Sequence, residues 1–271
     1  MLVTRTVNGQ SLSYLDYGPP SGCSVVVIFS GWCQDHRGWK TLLPYLLSDF
    51  RVICLNWRGH GPIRDPVPDF GVQEQVADYV ALLDALDIPT FIALSHSHGG
   101  WAAMQVAQTL GTQRVPAVLL LDLIMTEAPP PFIESLKAIQ DESRWRPALA
   151  SLMQGWGAST SNARFREARW KYSGRFGFDM WSRGCHEVER AYETWGSPMK
   201  RMEAIKEPPL IRHLFSHPKY PAYVELHEDF QLKHPHWFSF VRLPGDTHFP
   251  GIELPESVAL ALKELEVESG I

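Results

Sequence analysis

The chain has 271 residues, 45% of them apolar, which suits one domain with a sizeable core or a domain carrying an insertion. A net charge of −5 with no basic run argues against nucleic acid as a partner. No stretch reaches the roughly 18 apolar residues of a membrane span, the first residues lack a signal peptide's apolar centre, and the four cysteines form no C-x-x-C pair, so a reduced, cytoplasmic protein without membrane contact is expected; a monomer is expected as well.

In chain order, residues 2–7 and 12–16, joined through Asn8-Gly9, read as a β-hairpin. Residues 24–29 are continuously apolar, the pattern of a strand covered on both faces, and end at Ser30-Gly31-Trp32. A helix is predicted over residues 39–47. A buried strand over 51–55 follows, then Asn56-Trp57-Arg58-Gly59-His60-Gly61, then an amphipathic helix over 72–86. Residues 89–94 read as the next strand, Ser95-His96-Ser97-His98-Gly99-Gly100-Trp101 as a tight turn, and residues 102–110 as a helix closed by Gly111. Strand, turn and helix around a central serine are the context of the nucleophile elbow G-x-S-x-G, here with Ser95 in place of the first glycine and an imidazole on each side of Ser97. Residues 117–121 form a further strand that ends at Asp122.

Alternating strands and helices imply a mostly parallel sheet flanked by helices. The alternation stops after Asp122. Residues 126–207 read as helical and aromatic, bounded by Ala128-Pro129-Pro130-Pro131 and Pro208-Pro209, and are expected to form a cap inserted after the sixth strand. Residues 1–125 and 208–271 then make up the α/β core. Its pattern resumes with a strand over 210–216, a helix over 220–234, a strand over 237–243, a loop carrying His248, and a last helix over 255–267.

Chemistry at the carboxyl edge of such a sheet needs a base, a carboxylate and an anion pocket. His248 follows the last strand, where a hydrolase-like fold places its histidine. The usual loop for the carboxylate reads Ser216-His217-Pro218-Lys219 and holds none, so Asp122 is preferred. Asp246 would need a sharp fold-back to reach a residue two places on. The backbone N–H groups of His98 and Trp32 are the candidates for the anion pocket. The pair His96-x-His98 lacks a third ligand for a metal.

Ser30-Gly31-Trp32-Cys33-Gln34-Asp35-His36-Arg37, Asn56-Trp57-Arg58-Gly59-His60-Gly61, Thr194-Trp195-Gly196-Ser197-Pro198, Thr247-His248-Phe249-Pro250 and the elbow together resemble the cofactor-independent 2,4-dioxygenases of 3-hydroxy-4(1H)-quinolones. That resemblance spans essentially the whole chain. It implies an α/β-hydrolase fold with a helical cap, no metal or flavin, and a quinolone and O2 as reactants, with N-acylanthranilate and carbon monoxide as products. It makes His248 the base for the substrate 3-OH, Asp122 its partner, and Ser97 a hydrogen-bonding group rather than a nucleophile. Gly31, Trp32, Gln34, His96, His98 and Trp156 would lie around substrate and O2, with Gln34 standing where the 2-methyl-cleaving relatives have histidine. Those relatives are also richer in tryptophan where this chain reads Leu123-Ile124-Met125-Thr126, so an apolar channel for a longer 2-alkyl tail is expected. A 2-methyl substrate, a serine hydrolase and a non-catalytic receptor remain the alternatives.

Overall fold

A computed structural model describes residues 1–19, 22–63, 67–157, 160–161 and 175–271. Part of the expected cap, residues 162–174, lies outside these. Eight strands form one sheet: β1 (Leu2–Val7), β2 (Gln10–Tyr17), β3 (Ser24–Phe29), β4 (Phe50–Leu55), β5 (Ile92–His96), β6 (Ala117–Leu121), β7 (Leu210–Phe215) and β8 (Phe238–Arg242). Their spatial order is β1-β2-β4-β3-β5-β6-β7-β8. The first two pairings in that order, β1 with β2 and β2 with β4, are antiparallel, and all the others are parallel.

Side-chain alternation along the central strands divides the core in two. Val27, Phe29, Ala93, Val118 and Leu120 pack under α2 (Val72–Ala85) and α3 (Gly99–Leu110). Val26, Ile28, Leu94, Leu119 and Leu121 pack on the opposite face with Leu43 and Leu46 of the short helix α1 (Leu43–Leu46) and Val258 and Leu262 of the last helix. Both faces are therefore apolar, as the continuous runs in β3 and β6 require.

Between β6 and β7 stand α4 (Pro130–Ile139), α5 (Trp145–Gly155), α6 (Phe178–Trp195) and α7 (Pro198–Glu203). After β7 come α8 (Pro221–Lys233), α9 (Pro250–Glu253) and α10 (Pro255–Ser269). The Gly196-Ser197-Pro198 motif is the corner between α6 and α7, where the Ser197 hydroxyl caps α7 by accepting from the Lys200 N–H at 3.1 Å.

Several boundaries differ from the sequence reading: β2 starts at Gln10, β5 starts at Ile92 and α3 already at Gly99, and two further differences have a clear cause. The helix expected over 39–47 is broken into a 3₁₀ turn at His36–Trp39 and α1. Pro44 supplies the reason: it has no N–H to donate and its ring crowds the carbonyl four residues back, so it is accommodated only in a helix's first turn. Strand β5 runs two residues beyond the expected end, because Ser95 and His96 still pair with Leu120 and Leu121 of β6. Among the described residues no helix is long and apolar enough to cross a membrane.

Candidate active site

The site sits at the carboxyl ends of β3, β5, β6 and β8, under the inserted helices. Ser97 occupies the turn after β5 with φ of 50°, a left-handed conformation that a serine adopts only under constraint. Its N–H donates to Leu121 O at 2.8 Å, tying the turn to β6. A Cβ on Gly99 would stand 2.2 Å from Phe29 O and 2.6 Å from Ser30 O, so only glycine lets α3 start this close to β3.

Asp122 is almost fully buried and also has positive φ, 47°. One carboxylate oxygen accepts the Ser216 N–H at 2.8 Å, and the other lies 3.2 Å from His248 Nδ1. A carboxylate only accepts, so Nδ1 carries the proton and Nε2 is left as the free base. Asp246 is turned away, exposed and paired with Lys219 at 2.5 Å. The imidazole of His248 is further fixed on both flanks. Trp156 stacks on it with centroids 4.9 Å apart and takes the His248 N–H on its carbonyl at 2.9 Å. His96 lies 4.8 Å away, centroid to centroid, with Nε2 2.6 Å from the His248 carbonyl.

His96 and His98 are both buried neutral imidazoles. Desolvation, joined for His96 by the nearby His248, pushes each down to about 3. A neutral His96 has one N–H, which goes to the His248 carbonyl, since that oxygen can only accept. Its Nδ1 then carries no proton and lies 3.0 Å from Gln34 Oε1, an oxygen that accepts the Gly31 N–H and cannot donate to the ring. His98 differs: among the described residues neither ring nitrogen has a hydrogen-bond partner, and the residue lines the cavity. The backbone N–H groups of Trp32 and His98, the expected anion pocket, donate to no acceptor among the described residues.

The cavity measures about 260 Å³ and collects Ser97, His98, Trp32, Gln34, Asp122, Trp156 and His248. Two expected residues do not reach its wall. Gly31 lies behind Gln34, to whose Oε1 its N–H donates at 3.2 Å, and His96 is a strut between Gln34 and the His248 backbone. Of the stretch after β6, Leu123 and Ile124 line the cavity, whereas Met125 and Thr126 do not. Tyr223 holds this stretch by accepting from the Met125 N–H at 3.0 Å and donating to Leu123 O at 3.2 Å, and Tyr192 of α6 donates to Ile124 O at 2.7 Å.

Several site residues escape sequence reasoning. Phe132, Leu136, Leu152, Met153 and Val188 form an apolar wall contributed by α4, α5 and α6. Helical periodicity marks them as buried without saying against what. His60 turns out to be a brace. Its Nε2 accepts the Cys33 N–H at 3.1 Å, so Nδ1 donates to Arg58 O at 2.9 Å, and the Trp57–Gly61 loop thereby fixes the loop carrying Trp32. The Trp32 indole N–H donates to Met180 O at 2.7 Å, and Gly184 leaves room for its ring against α6. Among the described residues no group of three or more His, Cys, Asp or Glu side chains is placed to hold a metal ion.

Residues 24–175 match the family model described as alpha/beta hydrolase fold. The chain is 51% identical over 259 residues to a 2-heptyl-3-hydroxy-4(1H)-quinolone dioxygenase of Mycobacteroides abscessus, covering 96% of each. It is 37% identical to a 1H-3-hydroxy-4-oxoquinoline 2,4-dioxygenase of Pseudomonas putida, covering 95% of this chain and 97% of that one. Its fold superimposes with TM-score 0.95, at 49% identity and full coverage of both chains, on an AqdC variant in complex with its substrate, solved for recognition and ring-cleavage of the Pseudomonas quinolone signal.

The buried imidazoles set an acid limit on stability. His213 and His227, stacked beneath β7 and α8 and joined at 2.9 Å, are also held neutral by desolvation, His213 well below its usual range and His227 at about 4. An unfolded imidazole titrates near 6.5, so below that pH the unfolded chain binds protons that the folded chain refuses. Stability is therefore expected to fall from about pH 6.5 downward, each group contributing about 1.4 kcal/mol per pH unit. Urea unfolding midpoints followed from pH 7 to pH 4.5 should reveal a slope of about three to four protons. A flat profile over that range would contradict the neutral state of these residues.

Proposed function

The chain belongs to the family of cofactor-independent 3-hydroxy-4(1H)-quinolone 2,4-dioxygenases on the α/β-hydrolase fold, and we propose that it opens the heterocycle of 2-alkyl-3-hydroxy-4(1H)-quinolones with O2, giving an N-acylanthranilate and carbon monoxide. The observation that carries this reading is a carboxylate-held imidazole base facing a largely apolar cavity.

Atom balance gives the outline of the reaction. C3 and its oxygen leave as carbon monoxide, and the two atoms of O2 end on C2 and C4, in the amide and the carboxylate. Bonds from C2 and C4 to oxygen form, while C2–C3, C3–C4 and O–O break. The ring must first become electron-rich enough to reduce O2, which loss of the 3-OH proton achieves. His248 Nε2 takes that proton, and Asp122 holds the imidazole's tautomer and stabilises its charged form. When peroxide oxygen attacks C4, negative charge gathers on the C4 oxygen, where the free N–H groups of Trp32 and His98 can receive it. The apolar cavity keeps water from competing for the anion. The Ser97 hydroxyl makes no hydrogen bond to His248 among the described residues, which fits a substrate contact rather than an activated nucleophile.

Leu123, Ile124, Phe132, Leu136, Met153 and Val188 supply an apolar end to the cavity that suits an alkyl tail. Residues 126–207 serve as the cap that carries much of this wall. The four free cysteines support a reduced, cytoplasmic setting.

Incubation of the wild type with 2-heptyl-3-hydroxy-4(1H)-quinolone under ¹⁸O2 is expected to place both labels in N-octanoylanthranilate and none in carbon monoxide. His248→Ala should lower kcat by roughly 10²–10⁴-fold. Ser97→Ala should lose on the order of 1–3 kcal/mol of transition-state stabilisation, one hydrogen bond's worth. Equal and complete loss in both folded variants would point to a covalent serine mechanism instead.

Tail length should tune affinity. Each buried CH2 contributes about 0.8 kcal/mol at most, so heptyl over methyl adds up to about 4–5 kcal/mol before ordering costs. Anaerobic binding of a series from 2-methyl to 2-nonyl should tighten with length in the wild type and level off early in Leu123→Trp or Leu136→Trp. Tightest binding of the methyl compound would rule out the channel.

A further inference from the structure

His248 meets Asp122 across 126 residues of chain, and the loop that carries it, residues 246–249, belongs to no helix or strand. Such a loop keeps one shape only if its backbone N–H groups find acceptors. Trp156 O takes the N–H of His248 itself. The other three, those of Asp246, Thr247 and Phe249, lead to a single side chain. Glu253, the last residue of α9, accepts the Asp246 N–H at 3.0 Å on both carboxylate oxygens. Its Oε2 also accepts the Thr247 N–H and the Thr247 hydroxyl, each at 2.8 Å. The hydroxyl, its proton given to the carboxylate, accepts the Phe249 N–H at 3.1 Å. The Glu253 N–H closes the ring by donating to Phe249 O at 3.1 Å.

Every hydrogen bond that the Glu253 side chain makes among the described residues goes to this loop. Bonds to an ionised carboxylate are stronger than neutral ones, and three donors gathered on one group leave the loop little freedom. The packing is tight as well. Thr247 is fully buried. Gly245 runs so close that a Cβ there would stand 3.0 Å from Glu253 Oε2 and 2.4 Å from Ser216 Oγ. Ser216 in turn gives its N–H to Asp122. Two carboxylates thus bear on one pair of neighbouring loops, Asp122 on the imidazole and Glu253 on the backbone that carries it. Glu253 does not line the catalytic cavity. We infer that Glu253 is a positioning residue for the ring cleavage, holding His248 Nε2 where the 3-OH proton is taken; this rests on His248 being the base. A base displaced by about 1 Å loses roughly 100-fold in rate, while the apolar contacts that bind the substrate stay in place.

The test is a double-mutant cycle with the full-length protein and 2-heptyl-3-hydroxy-4(1H)-quinolone under air. Glu253→Ala should lower kcat about 10- to 100-fold and leave KM within about threefold. Glu253→Gln, which keeps an oxygen for the Thr247 donors, should recover most of that loss. In a His248→Ala background Glu253→Ala should cost less than about twofold, because a residue that acts only through His248 has nothing left to position. Equal losses in the two backgrounds, or an unchanged kcat in Glu253→Ala, would overturn the inference. Should Glu253→Ala fail to fold, Thr247→Val and Thr247→Ser run the same cycle. Valine removes the hydroxyl from both Glu253 and the Phe249 N–H and should lose kcat; serine keeps both bonds and should restore most of it. Equal kcat in these two variants would again overturn the inference. Failure of the base assignment shows separately, as a His248→Ala variant as fast as the wild type.

Discussion

The structure turns on keeping one imidazole, that of His248, in a single tautomer with one nitrogen free. Asp122 sets the tautomer, and the fold goes to some length to place Asp122. Its backbone is bent into positive φ at the end of β6, its N–H is tied to Leu214 O on β7, and its second oxygen is held by Ser216. His248 itself is pinned through its N–H to Trp156, through its carbonyl to His96, and across its ring face by Trp156. A base held this firmly needs no reorganisation when it meets its proton donor, which is the condition for efficient proton transfer in a dry site.

The same elbow serves hydrolases, and what separates the two chemistries is the surroundings of Ser97. A hydrolase needs its histidine bonded to the serine hydroxyl so that the oxygen becomes nucleophilic. Here the histidine is aimed at the cavity, and the residue after Ser97 is a buried neutral imidazole whose two nitrogens have no hydrogen-bond partner among the described residues. The cap completes the arrangement. Its helices bring an apolar wall and fasten it to the catalytic loop through Tyr192 on Ile124 O and the Met199 N–H on Met125 O at 3.2 Å. One short segment, residues 122–125, thus joins the Asp122 carboxylate to the helices that form the apolar wall.

Much of this is legible in the sequence because it follows from local rules. The apolar runs of β3 and β6, the strand–turn–helix around Ser97, and the lack of a carboxylate in Ser216-His217-Pro218-Lys219 all point to Asp122 and His248 before any coordinates. Other features depend on which way a side chain faces across long range. His96 and Gly31 sit in motif positions yet stop short of the cavity, because His96 is drawn to the His248 carbonyl, some 150 residues on, and Gln34 covers Gly31. His60 has no role readable from the string Trp57-Arg58-Gly59-His60 and proves to be a brace between two loops.

The central claim, that the Asp122-held His248 takes the 3-OH proton on binding and before oxygen enters, has a direct spectroscopic test. Under strict anaerobiosis and near neutral pH, 2-heptyl-3-hydroxy-4(1H)-quinolone mixed with the wild type should acquire the absorption of its 3-olate anion within the binding step. His248→Ala and Asp122→Asn should bind it with the absorption of the neutral form. An anion spectrum of equal strength in His248→Ala, or a neutral spectrum in the wild type, would contradict the account.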